Sequence, residues 1–542
     1  MANTLNILIG GEAGQGLVTV GTLLTKALGQ RGYAFVVTQG YQSRIRGGHN
    51  CFEIRVSDQE VYAPQETIDL LIALDAKTID LHQPNLSQSA LIQDLSSSKT
   101  KNITALGVIA ALLNLDHNLI QQIVSETFQK KGATIVEQNL NALQAATDLV
   151  NSQAQKLKQV PQPCYKEKRK VMNGNEAIAL GAISAGLKCA FFYPMTPATS
   201  INLSLVAQAK QHNLIVEQVE DEIAAINMAI GASFAGAPSM VATSGGGFAL
   251  MTEAISLAGM TETPLVVVVA QRPGPATGLP TRTEQADLEF VLYSGHGEFP
   301  RSIFSPGSVE ECFYTTRQAF EVAWKTQGPV FILTDQFLAD SYRSVAPFDL
   351  EKFSSLTGTS ETTIEEPYLR HKITSTGLSP RLIPGQTKHL VVTDSDEHTE
   401  DGHLTEDLGV RKAMVEKRLR KLNLHLEKCI APTFWGDKSP ELLFVCWGST
   451  KGSVQEAITQ LQNQSQKAAL LHFSQVWPLK SADFIDHLKN AKTVIGVEGN
   501  ATGQFAKLLR QETGFEIKKL ILRYDGLPIT PEYILRHVNG NS

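Results

Sequence analysis

The sequence predicts an α/β protein of three domains built largely on parallel sheets. A chain of 542 residues is too long for one hydrophobic core, so several domains are expected. Short apolar runs alternate with stretches of helical period along most of the chain. Several of these runs are apolar throughout, which is typical of parallel strands covered on both faces.

Breaks in composition predict where the domains end. Residues 154–170 are polar and basic and hold two prolines, so we expect a linker there. The strand pattern weakens over residues 349–440, which we expect to be a connecting segment. The three domains are therefore predicted at residues 1–153, 171–348 and 441–542.

The first domain opens with a β–α–β pattern. Strands are predicted over residues 5–9 and 33–37, with a glycine-rich loop and a helix from Leu17 between them. The loop glycines, Gly11, Gly14 and Gly16, do not have the spacing of the dinucleotide fingerprint. No acidic residue follows the second strand to hold a ribose hydroxyl, so a nicotinamide or flavin site is disfavoured against a tight structural turn.

Two arginines lie further along the same domain. Arg44 and Arg46 precede a predicted strand over residues 52–56. A guanidinium group suits recognition of a carboxylate or phosphate, and a structural or interface role is the alternative.

Four strands of the second domain end at residues that suit a binding site. The strands are predicted over residues 189–193, 214–219, 239–243 and 265–270, with a further one over residues 330–334. Because ligands of open parallel sheets bind at the carboxyl ends of strands, we expect one site there. The residues that follow the four strands are Pro194, Met195 and Thr196; Glu220 and Glu222; Ser244 and Gly245; and Arg272.

The connecting segment combines an acidic stretch with a basic helix. Residues 394–407 hold seven acids and two histidines, His398 and His403, and a helix is predicted over residues 408–428 with Thr405 as its N-cap. A metal site in this stretch is one interpretation, and a solvated surface is the one we favour. Strands over residues 442–447, 468–473 and 493–497 then predict a small α/β third domain.

Composition excludes several classes of protein. The net charge of −6 gives no sign of a nucleic-acid partner. The six cysteines are scattered and form no CxxC pair, so an iron–sulfur or zinc site within this chain is not expected. Scattered free cysteines are typical of proteins in the reducing cytoplasm. No charge occurs over residues 223–252, yet the glycines and Pro238 favour buried helix, strand and turn over a membrane span. The N-terminus lacks the basic start of a signal peptide.

The motifs in all three domains resemble those of 2-oxoacid:ferredoxin oxidoreductases. Residues 193–197 (YPMTP), 220–225 (EDEIAA), 243–247 (TSGGG) and 271–275 (QRPGP) are similar to the family's pyrimidine-binding thiamine diphosphate domain. Residues 11–16 and 43–50 resemble its Rossmann-like gamma domain, and residues 498–504 its transketolase-C-terminal-like domain. The order is that of a fused gamma–alpha subunit. Met195 and Gly246 depart from the usual isoleucine and proline.

The resemblance implies roles for the strand-end residues. In thiamine diphosphate enzymes one glutamate contacts N1′ of the aminopyrimidine, nine residues before a glycine. Glu222 has that spacing to Gly231, with Glu217 and Glu220 as rivals. Ala225 and Ala229 are expected to form a small-residue face that lets the cofactor approach. Further roles are implied for Thr196 at the thiazolium and substrate, Arg272 at the substrate carboxylate, Thr281 and Arg46 at the substrate, and Pro194, Met195, Ser244 and Gly245 at the cofactor.

Parts of the family's machinery are missing from this chain. The sequence has no Gly-Asp-Gly motif for a metal-bound diphosphate and no cysteines for a cluster. The resemblance therefore implies a beta subunit that supplies the diphosphate half, Mg²⁺ and a [4Fe–4S] cluster, in an (αβ)₂ complex that reduces ferredoxin. The implied reaction is coenzyme-A-dependent oxidative decarboxylation of 2-oxoglutarate to succinyl-CoA. Pyruvate or branched-chain 2-oxoacids, and a non-catalytic assembly subunit, are the alternatives. In the family a stretch like residues 394–407 holds no metal and can lie near coenzyme A.

Overall fold

The structure, a computed structural model, describes residues 3–43, 47–98, 100–152, 157, 160–350, 364 and 366–540. These residues form an α/β protein with three sheets, as predicted. The predicted residues Arg44 and Arg46 lie outside the described part of the chain. Among the described residues no helix is both long enough and apolar enough to cross a membrane.

The first unit contains the glycine-rich loop near the start of the chain. Its apolar core, which includes Ile7, Phe52 and Leu106, lies between one face of the sheet and the helices. Its elements are β1 (Thr4–Glu12), α1 (Leu17–Gln30), β2 (Ala34–Gly40), β3 (His49–Ser57), β4 (Ile68–Ala73), α2 (Ala76–His82), β5 (Leu86–Asp94), α3 (Lys101–Leu112), α4 (His117–Phe128) and α5 (Ala133–Ser152). Strand β3 lies antiparallel between β1 and β2, so those two strands are parallel but not adjacent.

The second unit alternates strands and helices, because its apolar strands need cover on both faces. Two apolar clusters provide that cover. The elements are β6 (Lys170–Met172), α6 (Gly174–Ser184), β7 (Cys189–Phe192), α7 (Thr199–His212), β8 (Ile215–Gln218), α8 (Glu222–Phe234), β9 (Ser239–Thr243), α9 (Gly245–Met260), β10 (Leu265–Gln271), α10 (Leu288–Leu292), β11 (Ser302–Phe304), α11 (Val309–Thr326), β12 (Pro329–Asp335), α12 (Gln336–Asp340) and β13 (Arg343–Val345).

The connecting segment and the third unit complete the chain. Their elements are α13 (Leu408–Arg420), α14 (Leu422–Glu427), β14 (Thr433–Gly436), β15 (Leu442–Trp447), α15 (Lys451–Asn463), β16 (Ala468–Phe473), β17 (Gln475–Trp477), α16 (Ile485–Asn490), β18 (Thr493–Glu498), α17 (Gln504–Thr513), β19 (Lys519–Leu522) and α18 (Pro531–Val538). The third sheet has the order β14-β16-β15-β18-β19 and is parallel except for β14.

Two of the sheets contain strands from more than one part of the chain. The first sheet has the order β5-β4-β1-β3-β2-β13-β6, so two strands that flank the second unit complete it. The second sheet has the order β17-β11-β12-β10-β9-β7-β8, and β17 joins it from beyond the connecting segment. β8 is its edge strand and exposes Ile215, so β8 is not among the strands that are covered on both faces.

The connecting segment differs from its prediction in two respects. The single predicted helix is two helices separated at Lys421, and Asp407 rather than Thr405 caps the first by accepting a bond from the Val410 backbone N–H. The acidic stretch is also not fully solvated. His398 is completely buried, and Glu397 is held by Arg411 and Arg418, because paired charges can be buried.

The connecting segment is fastened to the second unit by a buried carboxylate. Glu262, just after α9, is fully buried and pairs with Lys417 and Lys421, while His371 lies 3.2 Å away. Burial raises the pKa of this carboxyl, but the two lysines hold it well below its usual range. Removing one member of such a cluster leaves the others charged and unpaired.

We therefore expect Glu262→Gln to destabilise the chain by about 3–5 kcal/mol, since two buried ammonium groups lose their counter-charge. Thermal unfolding of the purified protein measures this. Glu321→Gln is the control, because Glu321 pairs with Lys325 at the surface and should cost about 1 kcal/mol or less. Equal unfolding temperatures for the two variants would contradict the account.

Candidate active site

The carboxyl ends of four neighbouring strands meet at one edge of the second sheet. The strands are β10, β9, β7 and β8, adjacent in that order and parallel. The residues predicted to follow them are therefore brought to one place. Direct contacts connect Thr196 with Arg272 and Met195 with Gly247.

Glu222 occupies the most unusual position at this edge. It is the first residue of α8, whose N-cap Asp221 accepts a bond from the Ala224 N–H at 2.7 Å. The side chain is only 3% exposed, and its Oε1 atom has no hydrogen-bond partner among the described residues. Burial, with a smaller contribution from Asp221, raises the pKa of Glu222. A carboxyl group with a raised pKa can share a proton with an acceptor atom of a ligand. Both rivals, Glu217 and Glu220, are exposed.

Glycine at position 247 makes room for this carboxyl. A Cβ atom there would lie 2.4 Å from Glu222 Oε1 and 2.2 Å from Thr243 Oγ1. The Gly247 N–H instead meets Met195 Sδ at 3.3 Å. A Cβ atom added at Gly246 would lie 3.9 Å from the Met195 sulfur, so the two positions that depart from the family pattern are close together.

Ala225 and Ala229 do not form the cofactor-facing surface expected from the sequence. Both are fully buried in the apolar core, where they pack with Val241 and Phe248. Helix α8 therefore places these small residues in the core rather than on an open surface.

Arg272 holds the other side of the site. Its Nη1 donates to the Thr196 carbonyl oxygen at 2.6 Å. Burial lowers the pKa of Arg272, and Asp287 opposes that effect. Asp287 itself has a pKa raised to about 6 by burial, with Arg272 lowering it. A Cβ on Gly245 would lie 2.7 Å from Asp287 Oδ2, so this carboxylate reaches the start of α9.

Asp287 was not among the residues predicted for the site. Its signal in the sequence was weak, since it is one acid in a loop before a short helix. Its place in the site depends on its position near Gly245 and on its electrostatic interaction with Arg272, which periodicity cannot reveal.

The remaining predicted residues surround the same edge. Ser244 is fully buried and its Oγ has no partner among the described residues, although it stands at the N-cap of α9. Pro194 is exposed and Thr196 is half-buried. Thr281 is buried, and its hydroxyl donates to the Tyr41 carbonyl at 2.6 Å, which brings the first unit to the site.

The residues present suit half of a large polar cofactor. Two buried side-chain oxygens without partners, Glu222 Oε1 and Ser244 Oγ, suit the polar atoms of a heteroaromatic ring. No group of three or more His, Cys, Asp or Glu side chains with metal-binding geometry occurs among the described residues, and all six cysteines are free. The two unpartnered oxygens therefore fit the ring of thiamine diphosphate.

Comparison with protein families agrees with this geometry. A family described as pyruvate flavodoxin/ferredoxin oxidoreductase, thiamine diphosphate-binding, matches residues 180–417. A second, described as pyruvate ferredoxin/flavodoxin oxidoreductase, matches residues 6–92 and 85–149.

Individual proteins are similar over most of the chain. The alpha subunit of a 2-oxoacid:ferredoxin oxidoreductase from a Sulfolobus species is 30% identical over 97% of this chain and 95% of that protein. The 2-oxoglutarate synthase subunit KorA of Archaeoglobus fulgidus is 33% identical over 68% of this chain and 98% of that protein. The structure of the 2-oxoglutarate:ferredoxin oxidoreductase from Magnetococcus marinus, with 2-oxoglutarate, coenzyme A and succinyl-CoA bound, has a TM-score of 0.92 at 30% identity, covering 99% of both chains.

The contact between Gly247 and the carboxyl can be tested by stability alone. Gly247→Ala should destabilise the protein by about 1–3 kcal/mol, because the added methyl group overlaps Glu222 Oε1 and Thr243 Oγ1. Gly231→Ala in helix α8 is the matched control, since a Cβ there meets nothing within 4 Å. The control should be neutral or more stable by about 0.5–1 kcal/mol. Similar melting temperatures for both variants would show that the site tolerates the methyl group.

Proposed function

The chain belongs to the 2-oxoacid:ferredoxin oxidoreductases as an alpha subunit, and we propose that it oxidatively decarboxylates 2-oxoglutarate to succinyl-CoA together with a beta subunit. The observation that carries the proposal is the buried carboxyl of Glu222, whose Oε1 lacks a partner among the described residues. When bound, thiamine diphosphate supplies a nucleophilic carbon and an electron sink for the decarboxylation.

Glu222 is proposed to hold a proton at Oε1 and share it with N1′ of the cofactor ring. The raised pKa of the carboxyl supports this role, since a protonated carboxyl can donate where a carboxylate cannot. Ser244 Oγ is the second polar atom available to the ring. Pro194, Met195 and Gly245 lie at the ends of the same strands and are proposed to contact it.

Arg272 and Thr196 are proposed to orient the substrate. The guanidinium already lies against the backbone of Thr196, so both residues can meet one ligand. A planar guanidinium binds a carboxylate through two parallel hydrogen bonds. Thr281 is proposed as a further substrate contact, and Arg46 is retained as a candidate from the sequence.

The beta subunit is proposed to hold the diphosphate end of the cofactor, Mg²⁺ and the [4Fe–4S] cluster that passes electrons to ferredoxin. This chain lacks a Gly-Asp-Gly motif, and its scattered cysteines do not suit a cluster. The proposed complex is an (αβ)₂ assembly in the cytoplasm.

The choice of 2-oxoglutarate is supported by names of similar proteins. KorA of Archaeoglobus fulgidus is called a 2-oxoglutarate synthase subunit, and the Magnetococcus marinus structure holds 2-oxoglutarate. The Sulfolobus relative is named only for 2-oxoacids, so pyruvate and branched-chain 2-oxoacids are the comparison substrates.

Co-expression with the beta subunit tests the proposed function. The chain alone should be colourless and inactive, whereas the complex should be brown and reduce a viologen dye when given 2-oxoglutarate and coenzyme A. Omission of coenzyme A is the control for the acyl acceptor. A complex that binds no thiamine diphosphate would indicate an assembly subunit instead, and activity of the isolated chain would contradict the division between subunits.

Glu222→Gln tests the proton on the carboxyl. Glutamine keeps the shape but cannot exchange that proton, so exchange at C2 of bound thiamine diphosphate should slow by roughly 10²–10⁴-fold. The measurement is deuterium exchange into C2, followed by NMR on cofactor released by acid quench. The matched control is Glu217→Gln at an exposed position, which should exchange normally. Normal exchange in the Glu222 variant would assign the role to another residue.

A further inference from the structure

The third sheet has a crevice at which a ligand would be expected. Its order places β15 beside β18, and the chain leaves these two parallel strands in opposite directions, toward β16 and toward β19. Ligands of open α/β sheets bind in the crevice between two such strand ends. Trp447 ends β15 and is followed by Gly448, and Gly499 follows β18, so these residues flank the crevice.

The side chain of Gln285, from the second unit, occupies this crevice. Its Nε2 donates to the Trp447 carbonyl oxygen at 3.0 Å, and its Oε1 accepts from the Gly499 N–H at 2.8 Å. Its backbone N–H donates to the Gly499 carbonyl oxygen at 2.6 Å. Gln285 is only 2% exposed, and the cavity beside it has a volume of about 20 Å³, enough for one water molecule. The crevice therefore holds a segment of this chain in place of a ligand.

Two glycines make room for Gln285. A Cβ atom on Gly448 would lie 2.8 Å from Gln285 Nε2, and the φ of Gly448 is +57°, a conformation that favours glycine. A Cβ atom on Gly499 would lie 3.2 Å from both Cγ and Oε1 of Gln285. The ends of β15 and β18 are thus shaped around this glutamine.

Two further side chains of the third unit hold the same segment. Asn500 Nδ2 donates to the Gln285 carbonyl oxygen at 3.1 Å. Gln504 Nε2 donates to the Ala286 carbonyl oxygen at 2.8 Å, and its Oε1 accepts from the Glu289 N–H at 3.1 Å. Asn500 and Gln504 are both buried, so these hydrogen bonds are shielded from water.

The segment held in this way leads directly to the candidate active site. Two residues after Gln285, the Asp287 N–H donates to Gln271 Oε1 at 3.0 Å. Gln271 directly precedes Arg272 and is 1% exposed, and its Nε2 donates to the Thr334 carbonyl oxygen in β12 at 3.1 Å. The carboxyl group of Asp287 also interacts electrostatically with Arg272. A shift of this segment would therefore disturb both the residue before Arg272 and the charge that interacts with its guanidinium.

We propose that Gln285 is a positioning residue, through which the third unit fixes the orientation of Arg272 for the carboxylate of the 2-oxoacid. This inference rests on the proposed function, in which Arg272 binds that carboxylate. A guanidinium makes two parallel hydrogen bonds to a carboxylate only when its plane is correctly oriented. The crevice of the third sheet accordingly serves the substrate site rather than a ligand of its own.

Gln285→Met in the assembled complex tests the inference, because methionine keeps the length of the side chain but cannot make its two hydrogen bonds. The value of kcat/KM for 2-oxoglutarate should fall about 10-fold, mainly through a higher KM, since a misoriented guanidinium binds the carboxylate less well. The KM for coenzyme A and C2 exchange of bound thiamine diphosphate should stay unchanged, since the proposal involves Arg272 in neither.

Gln475→Met is the matched control. Gln475 is also 2% exposed, and its side chain bonds to the backbone at both ends, accepting from the Ile430 N–H at 2.9 Å and donating to the Trp477 carbonyl oxygen at 3.1 Å. Both variants should unfold at a lower temperature, but only Gln285→Met should change the KM for 2-oxoglutarate. Gln504→Met carries the same prediction as Gln285→Met and replaces it if that variant does not assemble.

A double variant shows whether the effect passes through Arg272. In an Arg272→Lys background, Gln285→Met should cost little more in kcat/KM, because the two changes disturb one interaction. Hydrogen exchange gives a readout that is independent of activity. In the full chain, the Asp287 and Glu289 amides should exchange faster in Gln285→Met than in Gln475→Met, since only the first change releases their segment.

Three results would overturn the inference while the proposed function stands. They are an unchanged KM for 2-oxoglutarate in both Gln285→Met and Gln504→Met, an equal change in the Gln475→Met control, and losses that multiply in the double variant. A wild-type complex that oxidises no 2-oxoacid would instead overturn the proposed function and this inference with it.

Discussion

A buried carboxyl oxygen without a hydrogen-bond partner costs free energy, about 1–3 kcal/mol for a polar group of this kind. Glu222 carries this cost at the start of α8, where Asp221 fixes the helix and Gly247 leaves space for the side chain. A chain that retains such a group without a partner is built for an acceptor that arrives from outside. In the proposed complex, that acceptor is a ring nitrogen of thiamine diphosphate.

The rest of the second unit holds the Glu222 carboxyl in place and shields it from water. Four parallel strands end together, and the start of α9 closes on Glu222 through Gly247. Ala225 and Ala229 of the same helix lie in the core, and burial raises the pKa of the Glu222 carboxyl. The edge strand β8 lies nearby and exposes Ile215.

The first and third units approach the site from the other side. Thr281 bonds to the backbone of Tyr41, and the Tyr41 hydroxyl bonds to Asp340 at the end of α12. The end of the loop that begins at Arg272 is thus held against the first unit, whereas residues 274–279 of the loop are exposed. Arg282 extends from that loop into a cavity lined by residues of all three units.

Local pattern was enough to predict the position of several strands. The strands over residues 239–243, 442–447 and 468–473 have the predicted limits. An apolar run bounded by turn residues indicates a buried strand without further information. Long-range pairing was not predictable in this way. The insertion of β13 and β6 into the first sheet and the break at Lys421 beside Glu262 depend on residues far apart in sequence.

The most direct test of the account is a combined change of protein and cofactor. C2 deuterium exchange would be measured for wild type and Glu222→Gln, each loaded with thiamine diphosphate or with an analogue in which carbon replaces N1′. If the carboxyl acts through N1′, the two changes share one interaction, and the variant should lose nothing further with the analogue. Losses that multiply when both changes are made would contradict the central claim that Glu222 acts through that atom.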